Sequence, residues 1–246
     1  MSIGRKQSGE NSTALLLFSG GQDSSICLAW ALEKYAKVET IGFSYGQRHK
    51  VELEARHKVL DAIRRAFPHW QNKMGKDRVL DASVLAQTGS SALTSEKDIV
   101  ADDGGRPNTF VPGRNLFFYV LAAAYAYERN IQHLVGGMCQ EDFSGYPDCR
   151  RDALDAQLAA LNLGMEANFE IETPLMNLTK ADSWRLAHKI GGDVLVNIVL
   201  DYSHTCYEGN ITDRHEWGVG CGTCPACLLR KKGWDQFQQQ SSLPVS

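Results

Sequence analysis

The stretch Ser19-Gly20-Gly21-Gln22-Asp23-Ser24-Ser25 has the residue types and the setting of a phosphate site. It lies between a short apolar run, Ala14-Leu15-Leu16-Leu17-Phe18, and a segment from Ser25 to Leu32 that reads as helix, giving strand, glycine loop, helix. At such a junction unpaired backbone N–H groups and the positive end of the helix dipole face the incoming loop, and that geometry binds phosphate. Glycines let the backbone approach an anion closely, while Ser19, Ser24 and Ser25 add hydroxyl donors. The Lys-Ser/Thr ending of a Walker loop is missing, so the usual kinase or GTPase signature is excluded. The plainer reading is a turn in which Asp23 or Ser24 only caps the helix.

A second stretch, Cys221-x2-Cys224-x2-Cys227, places three thiolates within seven residues. Cys206, separated from Cys221 by 14 residues, can close a tetrahedron from a separate loop. Four sulfurs leave no open position for water, so the expected metal is a structural zinc rather than a catalytic one. The competing readings are thiol redox or sulfur-transfer chemistry of the CxxC pairs, and His215 as an alternative fourth ligand. Cys27, Cys139 and Cys149 are scattered and read as small buried thiols rather than nucleophiles. Clustering of four of the seven cysteines favours metal over disulfides.

These residues need a scaffold. A second strand is predicted from Glu39 to Tyr45, and Val51 to Phe67 repeats apolar residues at helical spacing through Val59, Leu60, Ile63 and Phe67. A short third strand is expected at Arg78 to Leu80, and Ala86 to Asn108 reads as a long loop able to cover a site. An apolar helix from Leu116 to Glu128, a strand from His133 to Gly136, and helices at Asp152 to Leu163 and Lys180 to Lys189 follow. The fold class is therefore α/β, a parallel sheet with helices on both faces and right-handed crossovers, plus a small C-terminal zinc-binding region. The expected division is 1–200 for the nucleotide-binding domain and 201–246 for the zinc-binding region packed on it.

Bulk properties narrow the function classes. A chain of 246 residues suits one extended α/β core with an appendage, and 43% hydrophobic with 22% charged residues excludes a fibrous or disordered polymer. A net charge of −3 supplies no basic footprint for a nucleic-acid backbone, which favours small-molecule chemistry. No run approaches the roughly 18 apolar residues of a membrane span, and Met1 to Asn11 is polar without a signal-peptide core, so the expected location is the cytoplasm.

The glycine loop resembles the SGGxDS pyrophosphate loop of the Rossmann-like PP-loop enzymes that cleave ATP between its α and β phosphates. Further segments extend the likeness from about Leu15 to Trp234: Tyr45-Gly46-Gln47-Arg48-His49, Asn108-Thr109-Phe110-Val111-Pro112-Gly113-Arg114-Asn115 and Asp142-Phe143-Ser144-Gly145-Tyr146-Pro147-Asp148-Cys149-Arg150. With Glu172-Thr173-Pro174-Leu175, Lys180-Ala181 and Thr205-Cys206-Tyr207, the ordered set resembles the 7-cyano-7-deazaguanine synthase family of queuosine biosynthesis. The 14-residue spacer after Cys206 is longer than many members show.

The resemblance implies conversion of 7-carboxy-7-deazaguanine and ammonia to the nitrile, with ATP, Mg²⁺ and one structural zinc per chain. It also implies a homodimer with no direct nucleic-acid or membrane partner. A carboxylate is a poor electrophile because oxide would have to leave; attack on the ATP α-phosphorus gives an acyl adenylate that ammonia can open to an amide. Nitrile formation then requires a second activation of the amide oxygen. No glutaminase context surrounds the remaining cysteines, so the expected nitrogen source is free ammonia or ammonia delivered by another protein.

On this likeness the ATP-binding run is Phe18, Ser19, Gly20, Gly21, Gln22, Asp23, Ser24, Ser25, Ile26, Cys27 and Leu28, and the zinc ligands are Cys206, Cys221, Cys224 and Cys227. Asp23, Ser24, Arg48, Arg114 and Lys180 are the expected catalytic residues, the three cations being placed near phosphate or carboxylate oxygens. Tyr45, Gln47, Asn115, Asp142, Tyr146 and Asp148 are the expected substrate contacts, with acidic groups accepting from the guanidine-like edge of the ring and Tyr146 stacking on it. His49 reads as either a contact or a solvated loop histidine. Two rivals use the same features: a tRNA thiolase sharing the ATP loop, and a zinc-ribbon nucleic-acid module with the modest basic patch Arg214, Arg230, Lys231 and Lys232.

Overall fold

The computed structural model describes residues 12–47, 51–87, 91–94, 108–139 and 145–241. Five strands, β1 (Thr13–Leu17), β2 (Lys37–Ser44), β3 (Met74–Asp81), β4 (His133–Val135) and β5 (Glu170–Glu172), form one sheet in the order β3-β2-β1-β4-β5. Every pairing in it is parallel. From β1 the chain builds outward to β2 and β3, then returns to β1's other edge with β4 and β5. The order therefore reverses between β1 and β4, and a crevice at the carboxyl ends of those two strands is where an open α/β sheet holds its ligand.

Strand β1 shows the period-2 logic that places helices on both faces. Ala14 and Leu16 pack into one apolar layer with α1 (Gln22–Lys34), α2 (Val51–Ala66) and the C-terminal helices, whereas Leu15 packs into the opposite layer. The short helix α3 (Pro68–Gln71) turns the chain into β3 and buries Trp70 in the first layer. The second layer is covered by α4 (Arg114–Tyr127) and α5 (Arg151–Gly164), which bury Tyr119, Ala122, Ala126, Leu154 and Leu161. The parallel α/β expectation holds.

Element limits differ from the sequence expectation where local pattern is weak. Strand β3 runs for eight residues rather than three, because an edge strand tolerates the exposed Lys76 and Arg78, while Asp77 between them turns inward to Arg56 of α2. Strand β5 was not anticipated; Glu-Ile-Glu offers a single apolar residue, and only its pairing with β4 makes it a strand. Helix α6 (Lys180–Tyr202) continues past Lys189 through a kink at Gly191–Gly192 into a second buried segment containing Leu195, Val196 and Val199. Helix α7 (Pro225–Ser241) takes in the Gln-rich tail segment, and its Trp234 meets Trp184 of α6 edge-on at 5.2 Å. Between them, β6 (Arg214–His215) and β7 (Gly218–Val219) form a small antiparallel hairpin. Cys206, Trp217, Cys224, Cys227 and Phe237 belong to the same buried layer as β1 and α1, so residues beyond 201 share the main core. Of the long 86–108 segment, the described parts are the turn Ser83–Gln87, residues 91–94 and Asn108.

Candidate active site

The glycine loop leaves β1 at Phe18, whose N–H donates to Ile41 O of β2 at 2.8 Å, and enters α1 with Gly21 as the N-cap. Gly20 sits at φ +90°, and a Cβ there would come within 2.8 Å of both Arg56 N and Glu52 O, so only glycine fits against α2. The serines knit the loop together. Ser24 Oγ accepts from Gly20 N at 3.1 Å and lies 3.1 Å from Ser19 Oγ, while Ser25 Oγ donates to Gly21 O at 2.8 Å. No side chain caps α1. Asp23 is instead held by Lys180 Nζ, 2.5 Å from its Oδ2. Lys180 is placed there by the capping box of Thr179 and Asp182 at the start of α6, and it also donates to Cys139 Sγ at 3.0 Å. Gly21 N donates to Ser19 Oγ at 3.2 Å, but no N-cap side chain claims the first turn of α1, as an anion site requires.

A cavity of about 280 Å³ opens on this loop at the switch between β1 and β4. Phe18, Ser19, Gly21, Gln22, Asp23 and Ser24 line it on one side, with Gly137 and Met138 from the end of β4. Gly20 and Ser25 shape the loop from behind. Ile26, Cys27 and Leu28 of the expected nucleotide-binding run lie in the core, 0%, 0% and 1% exposed, because one turn into α1 the helix faces the sheet and no longer the cavity.

Away from the loop the cavity is aromatic and cationic. Arg114, the first residue of α4, places its guanidinium carbon 5.7 Å from the Tyr45 ring and 5.9 Å from the Tyr146 ring. Tyr146 is fixed by a hydroxyl chain, 2.7 Å to Thr109 Oγ1 and 3.2 Å to Tyr207 Oη. Burial pushes the Tyr45 phenol up to about 12, so it stays protonated at neutral pH. Gln47 reaches the wall by accepting from Tyr45 N at 2.8 Å, and Asn115 also lines it. Asp148 is not among the lining residues. Its Oδ2 accepts from Asn115 N at 3.0 Å, which makes it the anchor for the start of α4. Lys180 is not among the lining residues; its ammonium meets Asp23, which is. Arg48, His49 and Asp142 lie outside the described residues.

The rest of the lining was not anticipated. Glu52, Leu53 and Arg56 of α2 line the cavity, with Phe118 of α4 and His204, Thr205 and Tyr207 of the segment after α6. Arg56 is fully buried and paired with Asp77, itself accepting from Thr40 Oγ1 at 2.6 Å. Its Nε and Nη1 have no hydrogen-bond partner, and a Cβ on Gly42 would strike Nη1 at 2.2 Å. Burial pulls the Arg56 guanidinium below its ordinary value, partly offset by Asp77. Burial raises the Glu52 carboxyl to about 7, with Arg114 opposing the rise. A Glu and an Arg one turn apart on an amphipathic helix resemble any solvated pair in sequence, so only the packing of α2 beside Gly20 marks them. Tyr207 was within reach of the sequence, since it follows the metal-ligand candidate Cys206.

The sulfurs of Cys206, Cys221, Cys224 and Cys227 all lie within 4.8 Å of one another. With metal–sulfur bonds of about 2.3 Å, a tetrahedral ion needs sulfurs about 3.8 Å apart, so this cluster could hold one. Cys206 supplies the fourth sulfur. His215 stacks on Trp217 with ring centroids 4.5 Å apart and has its Nε2 2.9 Å from Gly220 O, outside the cluster. Backbone N–H groups of Thr223 and Cys224 point at Cys221 Sγ from 3.5 and 3.3 Å, which favours thiolate. The cluster is joined to the glycine loop by the next residues of the chain: His204 N donates to Gly20 O at 3.0 Å. Arg230 of α7 fastens that segment with donations to Trp217 O, Ser203 Oγ, Thr205 Oγ1 and Val199 O.

Comparison with known proteins agrees with this geometry. The model of the family described as queuosine biosynthesis protein QueC matches residues 13–238. A 7-cyano-7-deazaguanine synthase of Bordetella pertussis is 58% identical over 224 residues, 91% of this chain and 92% of that protein. One from Burkholderia mallei is 56% identical over 230 residues, 94% of each. Among solved structures, a 4-thiouridine synthetase in an RNA complex with bound ATP superposes with a TM-score of 0.50 at 15% identity, covering 94% of this chain and 51% of that one; this likeness is one of fold.

Proposed function

Because the chain belongs to the QueC family of queuosine biosynthesis proteins, we propose that it converts 7-carboxy-7-deazaguanine and ammonia into 7-cyano-7-deazaguanine at the expense of ATP. The observation that carries the reading is a single cavity with an uncapped helix N-terminus and glycine loop at one end and Arg114 among Tyr45, Tyr146 and Tyr207 at the other. ATP phosphates suit the first end and a planar, anionic ring acid the second.

In this reading the backbone N–H groups of Gln22 to Ser24 bind the triphosphate, and Arg114 orients the substrate carboxylate for attack on the α-phosphorus. Ser19 and Ser24 donate to phosphate oxygens as charge develops. Ammonia opens the adenylate to an amide, and a second ATP activates the amide oxygen so that its loss leaves the nitrile. Tyr45 and Tyr146 stack on the ring, while Gln47 and Asn115 bond to its edge. Asp23, the acidic side chain of the loop, fits Mg²⁺ accompanying ATP, which would neutralise phosphate charge; Lys180 holds Asp23 in place. The four thiolates fit one zinc ion per chain in a purely structural role, within a region taken as 201–246 beside the 1–200 nucleotide domain. A homodimer in the cytoplasm completes the proposal; among the described residues no helix is long and apolar enough to cross a membrane.

The test is product analysis with purified protein, ATP, Mg²⁺, ammonium and the acid. At limiting ATP the 7-amido compound should accumulate, and supplying that amide with ATP alone should yield nitrile. Nitrile without detectable amide, together with inability to use synthetic amide, would refute the two-activation scheme. ATP consumption that depends on tRNA and leaves the acid untouched would replace it with thiolation.

A further inference from the structure

Each half of the proposed reaction removes protons from nitrogen, one in amide formation and two in dehydration, and that chemistry needs an acceptor beside the acyl carbon. Two carboxyl groups line the cavity among the described residues, Asp23 and Glu52. Asp23 is committed to Lys180 in the phosphate loop. Glu52 stands on the first turn of α2 and lines the cavity, with its carbonyl oxygen against Gly20 of the phosphate loop and with Arg114 and Tyr45 as electrostatic neighbours of its carboxyl. We propose that Glu52 is the general base that takes the nitrogen-bound proton in both amide formation and amide dehydration.

The inference rests on the functional reading above. In the first half, ammonia forms a bond to the acyl carbon of the adenylate and gives one N–H proton to the Glu52 carboxylate. The carbonyl reforms, the carbon–oxygen bond to AMP breaks, and AMP leaves with that electron pair. In the second half, the amide oxygen bonds to the α-phosphorus of a second ATP as pyrophosphate leaves, and one of the two N–H protons passes to Glu52 and on to solvent, giving the neutral adenylated imidate. The imidate then gives its remaining N–H proton to Glu52, the nitrogen electrons close the carbon–nitrogen triple bond, and AMP departs. Glu52 returns each proton to solvent. No oxidant or further reactant is needed.

The surroundings suit a base working at neutral pH. Arg114 from α4 and Tyr45 from the end of β2 face Glu52, and on its own helix Arg56 is occupied by Asp77. Burial outweighs the Arg114 cation, leaving the carboxyl titrating near 7, close to the optimum for general-base catalysis. Among the described residues His204 is a further candidate acceptor on the wall, and its backbone anchors Gly20.

The two steps can be assayed apart. Acid-dependent exchange of pyrophosphate into ATP without ammonium reports binding and activation, and conversion of synthetic amide to nitrile reports proton removal free of ammonium ionisation. Glu52→Gln should keep exchange within about threefold of wild type yet lose roughly 100-fold in nitrile formation. Wild-type nitrile formation should rise with pH through a limb near neutrality, which Glu52→Gln abolishes and Glu52→Asp retains at a shifted pH. Equal loss in both assays would make Glu52 a binding residue and overturn the proposal, as would loss of the limb in His204→Gln with Glu52→Gln unimpaired. Should Glu52→Gln fail to fold, a pH limb that is absent from wild type, or that Glu52→Asp leaves unmoved, overturns it. A wild-type enzyme that neither exchanges with the acid nor dehydrates the amide refutes the functional reading itself, and this inference with it.

Discussion

Replacing Arg230 by Met should destabilise the fold and loosen the nucleotide loop at a distance. The buried guanidinium donates at 2.8 Å to Trp217 O and at 3.0 Å to each of Ser203 Oγ, Thr205 Oγ1 and Val199 O. Burial lowers it only to about 10, so it remains a cation at neutral pH. Four such bonds do not simply add. Val199 O keeps a donation from Ser203 Oγ, and the two hydroxyls can rotate, so Trp217 O is the acceptor left bare. One orphaned carbonyl, the lost charge-assisted bonds and the lost contact with the Trp184 ring sum to roughly 3–5 kcal/mol. For a chain of this size that corresponds to a fall of about 10 °C in melting midpoint, measurable by calorimetry. Because residues 203–205 carry the bond from His204 N to Gly20 O, KM for ATP should rise about fivefold, equivalent to about 1 kcal/mol for one loosened hydrogen bond. Arg230→Lys should recover less than half of the loss, since an ammonium cannot present the planar fork. A midpoint within about 2 °C of wild type would refute the reasoning.

Cys224→Ser should lower metal content from about one ion per chain, as read by elemental analysis, and lower the melting midpoint with it; equal stability without metal would remove the structural role. Asp23→Ala and Ser24→Ala should each reduce turnover by about 100-fold or more with little change in melting, whereas matching losses would point to a merely structural loop. Glu52 carries a pH signature in stability. Its folded pKa of about 7 exceeds the ordinary 4.5, so the fold binds a proton that the unfolded chain releases, and the resulting destabilisation grows as pH rises from 4.5 and is complete above 7. Glu52→Gln should therefore melt higher than wild type at pH 8 and equally at pH 4, and the reverse order in thermal scans would exclude a carboxyl whose pKa is raised by folding.

The sequence by itself determined the features that are local in the chain. A glycine loop between an apolar run and a helix, and three cysteines at two-residue spacing, specify their chemistry within a few residues, and the structure keeps both where the pattern placed them. The alternation along β1 and the spacing in α2 likewise specified a sheet with helices on both faces. Tertiary structure decided what depends on partners remote in sequence. Asp148 reads as a substrate contact beside Tyr146, yet folding brings it against the start of α4, where Asn115 N is the nearer claimant. Lys180 reads as a phosphate cation, yet its ammonium meets Asp23, 157 residues away, before it meets the cavity. Glu52 and Arg56 carry no motif at all; they become a wall of the site because Gly20 lets α2 approach the loop and Gly42 leaves room for a guanidinium on the sheet. The link from the cysteine cluster to the nucleotide loop also exists only in three dimensions, since one backbone bond from His204 to Gly20 spans nearly the whole domain. Hydrogen bonds and close contacts between distant segments follow from the packing of whole helices, and no window of sequence contains both partners.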